Sequence, residues 1–158
     1  PDEEVPATRL MAALFGGTPN SKLFLNVREK LSLCYYCSAS YNSMKGIMLV
    51  QSGVEVKNME RAKEEILRQL DEVKQGNFDE SEVEAAKMSL CNSYRTLSDS
   101  LGGLENWYLS QTFASHSQQP EEAAAQINAV TRQEIIDAEN RVTLDTVYCL
   151  VGNGEDAQ

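Results

Sequence analysis

His116 is the only histidine in 158 residues, and that bounds the metal chemistry open to this chain. A hydrolytic zinc site takes about three protein ligands and keeps one position for water. A single histidine, in the Ser-rich stretch ASHSQQ, cannot complete an H-E-x-x-H or H-x-x-E-H set, and it reads as a surface loop residue. Cys34 and Cys37 form a C-x-x-C, a spacing that elsewhere does redox work. Here the pair falls inside a predicted strand, where residues three apart point to opposite faces, so the expectation is two separate structural thiols. Cys91, on the apolar side of a helix, and Cys149, in the last predicted strand, read as small buried hydrophobes. GGTPNS lacks the lysine of a phosphate loop, and no G-x-S-x-G occurs. The chain is therefore expected to hold no catalytic residue, no metal and no cofactor of its own.

The elements around these residues follow from periodicity. Leu10, Met11, Leu14 and Phe15 space a helix over 6–15, which Gly16-Gly17 should end through a left-handed cap. Thr18 with Pro19 reads as the start of the next helix, with Leu23, Phe24, Val27 and Leu31 on one face. CYYCSASY and IMLVQSGVEV, joined by the polar NSMKG, predict a β-hairpin. Two long amphipathic helices follow. The first stops at Gly76, and the second opens at Asp79 with Glu82 three residues on, a capping box. Three more helices begin near Gly102-Gly103, Pro120 and Thr131. TLDTVYCLVG predicts a closing strand. The order implies an α+β fold in two layers, a small, mostly antiparallel sheet with helices packed on one face. Three strands are few for so many helices, so a first strand is expected upstream of residue 1.

Composition narrows the class further. Fourteen Lys and Arg against 24 Asp and Glu give a net charge of −10, which argues against a nucleic-acid partner. No apolar run approaches the roughly 20 residues that span a bilayer, and no signal-like segment opens the chain. Four cysteines suit a reducing, cytoplasmic setting better than a disulfide scaffold. Residues 1–158 read as a single domain. Because the chain begins at Pro1 and enters a helix almost at once, it is expected to be a fragment of a longer parent.

One segment carries more. GGTPNSKLFLNVREKLSLCYYCSASY, residues 16–41, resembles the non-catalytic half of the pitrilysin-type zinc peptidases, the inverzincins. That half commonly carries GG–S–LF–x-x-x-R-E-K-x-x-L-x-Y. Here the matching residues are Gly16-Gly17, Ser21, Leu23-Phe24, Arg28-Glu29-Lys30, Leu33 and Tyr35. The later helices follow the same order, so the likeness runs from residue 10 to about 151. Its wording is nearest a Gram-positive branch in which one partner of a peptidase-like pair has lost its zinc motif. The resemblance implies a metallohydrolase-like lobe whose Arg28 and Tyr35 hold a peptide substrate opposite a zinc ion carried by another lobe or a paralogous subunit. An arginine fork and a phenol O–H can both donate to a peptide carbonyl. Tyr36 rivals Tyr35, since a shift of one residue along a strand changes face. Two other readings stand beside this one. The parent could be a degenerate, inactive scaffold that binds peptide or assembles a complex. The chain could instead be an acidic adaptor that takes a peptide by strand addition along 34–41. An exposed sheet edge would also allow a homodimer.

Overall fold

The computed structural model describes residues 4–113 and 117–152, and His116 lies outside them. Helix α1, Val5–Ala12, runs into a wide i→i+5 turn at Ala13–Gly17, and a second wide helix spans Leu23–Lys30. The hairpin follows as β1, Tyr36–Asn42, and β2, Ile47–Gly53, paired antiparallel with Tyr36 opposite Gly53 and Asn42 opposite Ile47. Five helices complete the order: α2 Met59–Lys74, α3 Glu80–Thr96, α4 Leu101–Phe113, α5 Pro120–Ala129 and α6 Arg132–Asn140.

The hairpin alternates as a half-buried strand pair should. Cys37 and Ala39 point into the helical layer, where Leu10, Met11, Phe15, Leu23 and Val27 are fully buried. Tyr36, Ile47 and Leu49 lie on the open face. Local rules placed most helix ends. Asp79 accepts from the Glu82 N–H at 2.9 Å while the Glu82 carboxylate accepts from the Asp79 N–H at 2.8 Å, a cap worth about 1 kcal/mol. Thr131 and Glu134 repeat the device on α6. Gly76, at φ +76°, turns the chain out of α2 in a conformation that side chains resist.

Three expectations are corrected. Neither Gly16 nor Gly17 takes a positive φ. Gly16 instead lets the helical turn touch β1, because a Cβ there would lie 2.6 Å from the Ala39 nitrogen and 2.7 Å from Leu23 Cδ1. The second helix starts later than Thr18-Pro19. Thr18 caps a turn, accepting from Asn20 N–H at 3.2 Å, and the buried Ser21 hydroxyl accepts from Phe24 N–H to open the helix. Residues 143–152 form no strand, leaving a two-stranded sheet among the described residues. A strand is stable only with a neighbour to take its ladder bonds, and neither β1 nor β2 pairs with this stretch. Cys149, expected in a core, is accordingly exposed.

Candidate functional site

The turn between the second wide helix and β1 builds the site. Val27 is buried, so Arg28, the next residue, emerges beside the core. Phe24 lies one helical turn back, and the Arg28 guanidinium stacks 4.7 Å above its ring. Ser32 takes φ +49°, a left-handed conformation that costs a non-glycine residue roughly 1–2 kcal/mol. This lets Leu33 fold back, its N–H donating to the Val27 carbonyl at 3.0 Å and its side chain entering the core. Two residues later the chain joins the sheet, with Tyr35 N–H donating to the Gly53 carbonyl at 2.8 Å. Arg28 closes the junction by donating from Nε to the Tyr35 carbonyl at 2.9 Å. The spacing of seven is thus a contact between one side chain and the other residue's backbone.

Both polar groups face outward from that clamp. Tyr35 is 69% exposed, and its hydroxyl lies 3.5 Å from Glu55 Oε1, a long donor contact. Glu55 is paired with Lys57 at 2.6 Å, and the Lys57 ammonium holds the Glu55 carboxyl below the usual carboxylate range. Arg28 approaches Glu29 at 3.5 Å through one terminal nitrogen, while the other has no acceptor among the described residues. The rival tyrosine is otherwise engaged. The Tyr36 ring covers Gly53 so closely that a Cβ there would fall 2.5 Å from Tyr36 Cε1. Glu55 and Lys57 escaped the motif because the hairpin register, not local spacing, carries the chain after Gly53 alongside Tyr35. An earlier signal was available in that register, since Tyr36 opposite Gly53 places residues 54–55 next to residues 34–35.

The placement of Cys34 within the strand is corrected at the same junction. Cys34 precedes β1 instead of lying within it, so the strand's alternation does not separate it from Cys37. Both are free thiols, Cys37 buried and Cys34 half-buried. Burial pushes the Cys37 thiol up to about 12, with Cys34 adding to the rise, which makes Cys37 a poor nucleophile. Among the described residues no three His, Cys, Asp or Glu side chains gather as a metal site, so this donor set does not fit a zinc ion. No described helix is long and apolar enough to cross a membrane.

Residues 1–90 match the family described as "Peptidase M16 inactive domain". The chain is 39% identical over 151 residues to the "Probable inactive metalloprotease YmfF" of Bacillus subtilis (strain 168), covering 96% of this chain and 35% of that protein. It is 28% identical over 149 residues to an "Uncharacterized zinc protease" of Rickettsia bellii (strain RML369-C), covering 89% of this chain and 34% of that one. Among solved structures, a conserved protein from Enterococcus faecalis V583 superposes with a TM-score of 0.80 at 38% identity, over 87% of this chain and 33% of its own. A protease from Helicobacter pylori shares the fold at a TM-score of 0.76 and 14% identity, over 87% of this chain and 34% of its own. The chain thus spans about a third of the length of these relatives.

Proposed function

This chain belongs to the Peptidase M16 inactive-domain family, and from that premise we propose that it is the non-zinc lobe of a pitrilysin-type peptidase assembly. In this reading Arg28 and Tyr35 hold the substrate backbone in a chamber whose zinc sits on another lobe or subunit. The observation that carries the reading is the clamp itself. Arg28 Nε is fixed on the Tyr35 carbonyl, so the helix–strand junction is rigid, and the free guanidinium nitrogen and the phenol are left pointing into solvent. Rigid placement of donors is what binding a peptide carbonyl requires. The free edges of the two-stranded hairpin are where a strand from another lobe, or from a second copy, would pair.

A second reading, a partner lobe without any catalysis, is favoured by the name of the 39% identical relative, which calls that protein inactive. Zinc content of the assembled protein separates the two readings, whereas peptide grip is common to both. Arg28→Ala and Tyr35→Phe are each expected to weaken peptide binding by about tenfold, the worth of one hydrogen bond to a charged or well-placed donor. Binding is to be measured calorimetrically on the chain assembled with its other lobe or subunit. Tyr35→Phe removes only an exposed hydroxyl, so its circular dichroism and melting should stay unchanged. Unaltered affinity in both variants would end the proposal.

A further inference from the structure

A cavity of about 660 Å³ opens at the other end of β1, between α1, the hairpin turn and helices α3, α4 and α5. That volume suits a small organic molecule. The chain holds 24 acidic residues, yet none of the described ones lines this cavity, and Arg9 is the sole charged residue among the described residues of its wall. Arg9 is half-buried and forms no ion pair among the described residues. Its two terminal nitrogens donate to neutral hydroxyls, Tyr94 at 3.2 Å and Ser43 at 3.3 Å. Both bonds are long, and three of the five guanidinium N–H groups remain unspent. A half-buried cation with spare donors and no counter-ion among the described residues is an incomplete pair.

The rest of the wall indicates what would complete it. Tyr94 and Trp107 meet edge to face, ring centres 5.5 Å apart, and Ile127 extends this apolar side. Gln126, also in the wall, makes no side-chain hydrogen bond among the described residues. The geometry points to a binding site for a small monocarboxylic acid with an apolar or aromatic body, its carboxylate on Arg9 and its body against Trp107. A single guanidinium matches one carboxylate better than a doubly charged phosphate, and the fork geometry allows two parallel bonds. The chain's net charge of −10 gives no general attraction to anions, so affinity must come from this local contact.

Trp107 is the only tryptophan in the chain and stands in the wall, so its fluorescence reports occupancy directly. The test titrates the full chain with hydrocinnamate, with its uncharged amide and with inorganic phosphate. Hydrocinnamate should give a saturable change, with the amide at least about tenfold weaker, the cost of losing a charge-assisted pair. Arg9→Gln should weaken hydrocinnamate by about the same factor, and Arg9→Lys should restore part of it. Ser110→Phe, at an exposed lining position on α4, should block binding by bulk while leaving Arg9 in place. Equal responses to acid and amide would overturn the proposal. So would tighter binding of phosphate, or no response from wild-type chain that circular dichroism shows to be folded.

Discussion

Gly16→Ala is expected to destabilise the chain by about 3 kcal/mol, the upper range for forcing atoms into a packed interior. The new methyl would lie 2.6 Å from the Ala39 nitrogen and 2.7 Å from both the Ala39 Cβ and Leu23 Cδ1. Ala39 is in the middle of β1, so its backbone cannot yield without breaking the register that pairs it with Val50. Leu23 is fully buried and has nowhere to go. Gly17→Ala is the control, since its nearest neighbour would be the Ala12 carbonyl oxygen at an ordinary 3.4 Å, and it should stay within about 1 kcal/mol of wild type. Denaturant midpoints for the two variants decide the point. If Gly16→Ala unfolds with the wild-type midpoint, the close approach of helix and strand is not what holds this layer together. The same approach seats the hairpin against the helices that carry Arg28, so the variant should also lose peptide grip.

The second large effect comes from Glu139. It is fully buried on α6, which packs against α1 and α2, and neither carboxylate oxygen has a hydrogen-bond partner among the described residues. Burial pushes its carboxyl from 4.5 up to about 7. The Lys74 ammonium on α2 partly opposes this, and Asp71 on the same helix adds to it. Between those two values the folded chain holds a proton that the unfolded chain has released. Stability contributed by the neutral acid is therefore fully present below about pH 4.5 and is lost as pH rises towards 7. A shift of this size corresponds to roughly 3 kcal/mol. Glu139→Gln removes the titration, so urea unfolding should show the wild type losing stability from pH 5 to pH 8 relative to the variant. At pH 8 the variant should be the more stable by up to about 3 kcal/mol. Parallel stability curves for the two proteins across that range would show that Glu139 does not titrate in the folded core.

These two residues also mark how far sequence reasoning reaches. The capping boxes at Asp79 and Thr131, the stop at Gly76 and the hairpin were legible because each depends on residues within a few positions of one another. Gly16 was seen, but its role was misjudged. A glycine pair at a helix end suggests a cap, and only the packing of β1 shows that the missing Cβ is the point. The closing strand was misread for a related reason, since alternation can mark a segment fit to be a strand but cannot supply its neighbour. Cys34 was assigned to β1 because its wording continues into it, whereas Ser32 and Arg28 hold the chain in a turn until Tyr36. Glu139 was invisible for a simpler reason. An acid in the last turn of a short polar helix looks solvated, and nothing local says that α1 and α2 will cover it. At the site, the interval between Arg28 and Tyr35 was legible, but the backbone contact that gives it meaning was not.

In the proposed function Arg28 and Tyr35 donate hydrogen bonds to a peptide backbone. A double-mutant cycle tests it most directly, pairing Arg28→Ala and Tyr35→Phe with peptides in which single backbone carbonyls are replaced in turn by methylene groups. Affinities would be measured on the chain assembled with its other lobe or subunit. One carbonyl position should couple to Arg28 or Tyr35 by at least about 1 kcal/mol, while the other positions are additive. Strict additivity at every carbonyl would contradict it.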